Sequence, residues 1–187
     1  MTDIEICNMA LGQLGTAGIA SLDDDSDEAR ACKTFYGPVR DAVLSDAAWS
    51  FALGLRVLNP DADAPIFKWA YKFTVPSDVA RVHRADDGTG EYRMQWEVLD
   101  NAVHADSTPV YVEVVRKVTD TSKYSPAFCM ALATRLAAEL CIPLTENRAL
   151  HGDLWALYEK KIKAATRTDG SQGKSERIRS DYLKRVR

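Results

Sequence analysis

Apolar residues recur at spacings of three and four in four segments of the chain, which is the pattern of a helix with one buried face. Two segments lie before residue 44, and two follow Ser125. The stripes consist of Ile4, Cys7, Leu11 and Leu14; Ala29, Cys32, Tyr36, Val39 and Val43; Phe128, Leu132, Leu136 and Leu140; and Leu150, Leu154, Leu157, Tyr158 and Ile162. The sequence therefore predicts four amphipathic helices that pack against one another.

Capping and helix-breaking residues set the expected helix boundaries. Asp25 is the predicted N-cap of the second helix, and Pro38 is expected to kink it, because proline removes one backbone donor. Ser125 followed by proline is a typical N-cap and first-turn pair. Pro143 is expected to stop the third helix, and Thr145 to begin the fourth. The last two helices then form an αα-hairpin.

The middle of the chain alternates apolar and polar residues, as strands do. Tyr71, Phe73 and Val75 alternate with polar neighbours, residues 92–98 do the same, and residues 110–118 form a β-branched run. Asp100 and Asn101 suit a hairpin turn between these last two runs. The sequence predicts a small antiparallel sheet between residues 65 and 119.

These elements predict an α+β fold with a mainly helical core of about four helices and a small antiparallel β insertion. We assign residues 1–58 to an N-terminal helical part, 59–124 to a β domain, and 125–166 to the αα-hairpin that completes the core. Residues 167–187 follow as an extended, conditionally ordered tail, reached through a linker that begins at Thr166 and is rich in glycine and serine.

Charge is distributed unevenly between the tail and the rest of the chain. Lys and Arg number 24 against 27 Asp and Glu, a net charge of -3 that argues against a general DNA binder. Residues 167–187 contain seven basic and three acidic side chains, a balance of +4, so the preceding residues carry -7. An acidic body with a basic tail therefore suggests a tail that binds an acidic surface.

The expected cellular setting follows from the N-terminus and the cysteines. The first basic residue is Arg30, and the longest apolar segment contains Arg135 and Glu139, so we expect neither a secretory signal nor a membrane span. The four cysteines show no C-x-x-C spacing, and three occupy apolar helical positions. We interpret them as reduced core residues, with a redox or zinc role as the alternative.

Motifs that would indicate catalysis or cofactor binding do not occur. The three histidines, His83, His104 and His151, lie in unrelated segments, and there is no zinc-protease, nucleophile-elbow or phosphate-loop string. We therefore predict no catalytic, cofactor or metal site.

Three alternating aspartates, Asp23, Asp25 and Asp27, resemble the start of a calcium loop. The sixth position is Glu28 instead of glycine, and the twelfth is Thr34 instead of glutamate. We interpret these carboxylates as complementing the positive end of a helix, and keep a divalent site as the alternative.

Several motifs in a fixed order resemble the head-tail adaptor family of short-tailed phages, also called tail tubular protein A. They are ICNMALGQLG at residues 6–15, SLDD at 21–24, RDAVL at 40–44, WSFA at 49–52, YKFTVP at 71–76, LAAEL at 136–140 and PLT at 143–145. Each motif is weak alone, but their order and spacing cover residues 4–173.

The resemblance implies a virion structural protein, made in the host cytoplasm and assembled into the phage tail. It implies a ring, of twelve copies in this family, that binds the portal above and the tail nozzle below and lets the genome pass through its centre. A helical body with a β domain is also implied, in agreement with the hydrophobic pattern.

In that setting, we expect the basic tail to bind the portal. Its basic residues would pair with acidic groups, and its apolar residues would fill a groove. The predicted portal-binding residues are Arg177, Ile178, Arg179, Tyr182, Leu183, Lys184, Arg185, Val186 and Arg187. A tail that serves only solubility is the alternative interpretation.

The predicted nozzle-binding residues lie in the β domain. Trp49, Trp96 and Trp155 follow apolar patterns and are assigned to the core, whereas Trp69 does not and is free to serve an interface. The nozzle-binding set is Trp69, Arg81, His83 and Arg84.

Two other functions stay open at this point. A tail-associated cell-wall hydrolase would need a pair of carboxylates in a cleft, for which Glu91, Glu97 and Glu113 are the candidates. The second is a small monomeric regulatory or scaffolding protein.

Overall fold

The structure of the chain is a computed structural model that describes residues 1–89 and 94–170, with side chains up to residue 167. That part is 46% helical and 20% strand, with four α-helices and two small antiparallel sheets. The α+β class predicted from the sequence is confirmed.

The first two helices begin at hydroxyl side chains that cap them. In α1 (Asp3–Leu14), the Thr2 hydroxyl accepts from Glu5 N at 3.2 Å, and the Glu5 carboxylate accepts from Thr2 N at 2.7 Å. Helix α2 (Asp27–Asp46) is capped by Ser26, whose Oγ accepts from Ala29 N at 3.1 Å. The prediction of Asp25 as the cap was wrong by one residue, because serine at 26 reaches the free N–H group.

The other two helices form the predicted hairpin. Helix α3 (Pro126–Thr145) is capped by Ser125, as expected, and Pro143 lies inside it, so the predicted stop there was wrong. Proline has no backbone N–H group, so Pro143 removes one hydrogen bond from α3, and the helix continues for only two more residues, to Thr145. The Asn147 side chain accepts from Leu150 N at 3.0 Å and begins α4 (Arg148–Gly170), which continues past the predicted linker start at Thr166.

Helix α3 is the centre of the helical core, and the other three helices pack against it. It buries eleven residues, and although it is long and apolar enough to cross a membrane, 61% of its apolar stretch is buried inside the protein. All four cysteines are free and buried, which confirms the prediction that they are core residues. In α4, Leu154 and Tyr158 are buried, but Leu157 of the predicted stripe is 40% exposed.

In the described part of the chain, six strands form two three-stranded sheets. Sheet A has the order β1 (Leu53–Leu58), β6 (Val110–Arg116), β3 (Val79–Asp86), and sheet B has the order β2 (Tyr71–Thr74), β5 (Ala102–Ala105), β4 (Trp96–Leu99). The single sheet predicted between residues 65 and 119 is therefore two sheets. They begin at Leu53, within the segment assigned to the helical part.

Hairpin β4–β5 contains the predicted turn. Asp100 and Asn101 have φ values of 50° and 56°, as a two-residue hairpin turn of the primed type requires. The strand after the turn is the short β5 instead of the run at 110–118, which pairs with β1 and β3. Pairing with two non-local strands places that run at the centre of sheet A.

The two sheets face each other as a small sandwich. Residues that point inward form a separate apolar core, and they include Phe73, Val75, Val103, Ala105, Val110, Val112 and Val114. One end of sheet A touches the helical body, because Val115 is buried in the helical core and Leu53, opposite it in register, packs there too. The outer face of sheet B points away from this core.

Candidate functional site

A loop crosses the outer face of sheet B between β1 and β2, and we name residues 61–70 the strap. At its start, Asp61 accepts from the Thr74 backbone N–H at 3.2 Å and from the Thr74 hydroxyl at 2.7 Å. At its end, the Ala70 N–H donates to Asp106 at 2.9 Å, and the Trp69 indole N–H donates to Glu97 at 3.3 Å. The strap is therefore tied down at both ends.

Three polar residues lie side by side beneath the strap. His104 of β5 is opposite Lys72 of β2 on one side and Glu97 of β4 on the other. Since Val103 and Ala105 point into the sandwich core, these three side chains lie on the outer face of sheet B.

The strap and this polar row enclose a groove of about 570 Å³. Such a volume lies within the usual range for sites that bind small molecules or single side chains. The lining residues are Ala64, Pro65, Ile66, Phe67, Lys68, Trp69, Lys72, Glu97, Leu99, Asp100 and His104. The groove has apolar walls and a polar floor.

The charged groups of the groove are unequally satisfied. Glu97 accepts from Lys68 Nζ at 2.8 Å, and this contact, followed by that of Trp69, lowers the pKa of Glu97. Lys72 Nζ lies 4.0 Å from Asp61, at the outer limit of an ion pair. The Nε2 atom of His104 is buried and has no hydrogen-bond partner within the part of the chain that the structure describes. The floor of the groove therefore has unused hydrogen-bonding capacity.

The tip of the strap exposes large apolar side chains. Ile66 is fully exposed (101%) and Phe67 is 78% exposed. Trp69 N donates to Phe67 O at 2.9 Å across Lys68, whose φ of 73° is an unfavourable value for a residue with a side chain. Two adjacent exposed apolar residues on a tethered loop are typical of an interaction surface.

Two of the four predicted nozzle-binding residues, Trp69 and Arg81, lie on two sides of strand β4. Trp69 lines a groove with Trp96 and Glu97, and Arg81 of β3 lines a second groove, of about 480 Å³, with the same two residues of β4. His83 is exposed on β3, and Arg84 faces Glu113 in register. The structure thus brings Trp69 and Arg81 to one edge of the sandwich, and it places Arg84 on the outer face of sheet A.

Sequence reasoning missed four residues of the strap groove: Ile66, Phe67, Lys72 and His104. The available signal was the pair Ile66 and Phe67, which are consecutive large apolar residues directly after Pro65. In an extended segment, neighbouring side chains point to opposite sides, so two consecutive residues cannot both face the same core. His104 carried no signal, because only its position beneath the strap makes it notable.

A second apolar surface lies on the outer face of sheet A. Leu55 is 79% exposed, and Val57 and Tyr111 are opposite each other in register and also exposed. The two outer faces of the sandwich therefore carry different apolar surfaces.

The carboxylates proposed for hydrolysis are not brought together. Glu97 lies on the outer face of sheet B, and Glu113 lies on the outer face of sheet A, because its neighbours Val112 and Val114 point into the core between the sheets. Glu91 lies outside the described residues. Glu97 and Glu113 cannot flank one glycosidic bond.

Carboxylates at the start of α2 pair with basic residues. Asp23 contacts Lys33 at 2.7 Å, and Arg30 contacts Asp25 and Asp27 at 2.7 and 2.5 Å. Within residues 1–89 and 94–167, no three His, Cys, Asp or Glu side chains cluster in a way that could hold a metal ion.

Several residues of the motifs that resemble the adaptor family stabilise the helical body. Asn8 donates to Ile19 O at 2.9 Å and accepts from Ile19 N at 2.7 Å, while Asp24 accepts from Ala20 N and Ser21 N. The buried Trp49 donates to Val43 O at 2.9 Å. These motif residues therefore hold the connections between helices, and the exposed surfaces lie elsewhere.

The predicted portal-binding residues, from Arg177 to Arg187, all lie outside the described residues. Comparison with known proteins adds no relative: no family model matches the chain, and no curated protein matches it significantly.

Proposed function

We propose that this chain is a virion structural protein, a head-tail adaptor that forms a ring between the portal and the tail nozzle of a short-tailed phage. The observation that carries the proposal is the pair of exposed apolar surfaces on a compact sandwich, the strap tip and the Leu55 patch. Surfaces of this kind suit a subunit whose work is to contact other proteins. The ordered motifs of the family resemblance support the same conclusion.

A ring built by rotation needs two different complementary patches on each subunit. The strap side and the sheet A side of this sandwich differ in shape and composition, so a contact between neighbouring copies need not be self-complementary. The number of copies, twelve, comes from the family resemblance.

The basic tail supplies the proposed contact with the portal. Each tail carries a net charge of +4 and adds one weak contact. Because these contacts are repeated on one ring, they act together through a high effective concentration. The acidic excess of the remaining chain, -7, suits a channel through which DNA passes without being retained.

Co-assembly with the portal tests the proposal. The full chain is mixed with the portal protein of the genome that encodes it, and the products are sized by chromatography and imaged by electron microscopy. We expect a ring bound to one face of the portal. A chain that stays monomeric with the portal, and turns over peptidoglycan, would favour a hydrolase instead.

Deletion of residues 170–187 tests the role of the tail. The shortened chain should keep its helical circular dichroism and lose portal binding. A second variant replaces the six basic residues of the deleted segment, from Lys174 to Arg187, with glutamine, which keeps the length and removes their charge, and it should also lose portal binding. Unchanged portal binding by both variants would show that the tail serves only solubility.

A further inference from the structure

The strap groove has the features of a site that is incomplete without a partner. Its walls are apolar, its rim exposes Ile66 and Phe67, and its floor contains Lys72 and His104. A buried polar atom left without a hydrogen bond is costly, and native proteins rarely keep one without a reason. Four buried side-chain atoms of the described residues are in this state, and of these only the Nε2 atom of His104 belongs to a residue that lines the groove.

The floor of the groove favours a ligand group that is negatively charged and accepts hydrogen bonds. Glu97 is neutralised by Lys68 at 2.8 Å, and Asp100 lies exposed at the turn that ends the groove. Lys72, beside His104, has only the 4.0 Å contact with Asp61. The Lys72 ammonium is a donor, and Nε2 of His104 donates when it carries the ring proton. A carboxylate that enters beneath the strap would satisfy both groups.

The rim of the groove favours a polypeptide over a small molecule. A ligand that filled only the groove would leave Ile66, which is fully exposed, still in water. A partner surface covers both the groove and its rim, as in protein interfaces with an apolar centre and a few polar contacts.

From these observations we infer that the strap groove binds a segment of a partner polypeptide in which a large apolar side chain stands next to an Asp or Glu. The apolar side chain packs between the strap and Leu99, and the carboxylate pairs with Lys72 and accepts from His104. The inference rests on the proposed function in one respect only, which is the identity of the partner. We take the partner to be the nozzle, because Trp69 of the predicted nozzle-binding set lines the same groove.

Peptide binding to the isolated full-length chain tests the inference. The probes are two fluorescein-labelled, amide-capped hexapeptides, Gly-Ser-Phe-Asp-Ser-Gly and its Asn counterpart, and the readout is fluorescence anisotropy. We expect the Asp peptide to bind about two- to fivefold more tightly, as one partly exposed ion pair provides. Lys72→Met and His104→Leu should each reduce that preference, whereas the control Lys117→Met, at an exposed site outside the groove, should keep it.

The apolar contacts are tested separately. Ile66→Ser and Phe67→Ser should weaken both peptides equally, and Leu157→Ser, on the exposed face of α4, should weaken neither. Equal affinity for the two peptides, or no binding of either at millimolar concentration, would overturn the inference. N-acetylphenylalaninate is a small molecule with one aromatic ring and one carboxylate. If it bound as tightly as the Asp peptide, the inference that the groove binds a polypeptide would be overturned. None of these assays contains portal protein, so they fail or succeed independently of ring assembly.

Discussion

Replacement of Asn8 by alanine should loosen the connection between α1 and α2. The Asn8 amide bonds both backbone groups of Ile19, at 2.9 and 2.7 Å, across eleven residues of sequence. Ile19 is only 6% exposed, so water cannot readily replace the lost partners. No other side chain in the described connection is hydrogen-bonded to Ile19.

The size of the effect follows from those two hydrogen bonds. Each is worth about 0.5–1.5 kcal/mol net, so Asn8→Ala should lower the free energy of unfolding by about 2 kcal/mol. For a chain of this length, that corresponds to a fall in Tm of about 4–8 °C. Urea unfolding followed by circular dichroism measures the free energy, and amide exchange at Ile19 should become faster.

A second substitution separates the two bonds. Asn8→Asp keeps the acceptor for Ile19 N but places a carboxylate oxygen against Ile19 O, which disfavours the charged form in the folded state. The pKa of this new carboxyl should therefore lie above the usual value of about 3.9. The variant should be destabilised at pH 7 and recover stability as the pH falls through that raised pKa.

The control for both variants is Gln13→Ala in the same helix. The Gln13 amide bonds only the local Met9 carbonyl, at 3.2 Å, and its Oε1 atom is buried without a partner among the described residues. Its replacement removes that bond together with the unsatisfied oxygen, so it should not lower the free energy of unfolding by more than about 0.5 kcal/mol. If Asn8→Ala had an equally small effect, the contacts with Ile19 would not hold this connection together.

Three further predictions concern other contacts. Tyr158→Phe removes a 2.5 Å hydrogen bond to Asp46 that joins α4 to α2, and it should lower the free energy of unfolding by about 1–2 kcal/mol in urea titrations. Burial lowers the pKa of Lys161, so the stability of the native chain relative to Lys161→Met should rise with pH between that lowered pKa and about 10.4. Lys68→Ala should raise the pKa of Glu97 towards about 4.3, measured by carbon NMR of the Glu97 carboxyl.

Each of these three outcomes has a clear opposite. An unchanged stability of Tyr158→Phe would mean that water replaces the phenol hydroxyl. A stability difference for Lys161→Met that does not vary with pH would mean that burial does not disfavour the lysine cation. If Lys68→Ala left the titration of Glu97 in place, the ion pair would not hold that carboxylate.

Local sequence signals were enough to predict the helices and the best-defined turn. Ser125 with its following proline, and the pair Asp100 and Asn101, act through backbone groups within a few residues of themselves. Helical stripes work in the same way, because residues three and four apart share a face whatever lies opposite them. For that reason the fold class and the burial of the cysteines could be predicted without any tertiary information.

Strand pairing and the site depended on contacts between distant residues. The segment 53–58 has no strong alternation, and it is a strand because it pairs with β6, more than fifty residues later. For this reason the sequence pattern assigned residues 53–58 to the N-terminal helical part.

The strap groove was decided in the same way. His104 becomes a candidate binding residue only because Lys72, Glu97 and the strap surround it, and each comes from a different part of the chain. Periodicity reports which face of an element is apolar, but it does not report what covers the other face. The amino-acid pattern by itself determined the four helices and the turn at Asp100 and Asn101, and packing of the chain on itself decided the strand pairing and which polar groups lie beneath the strap.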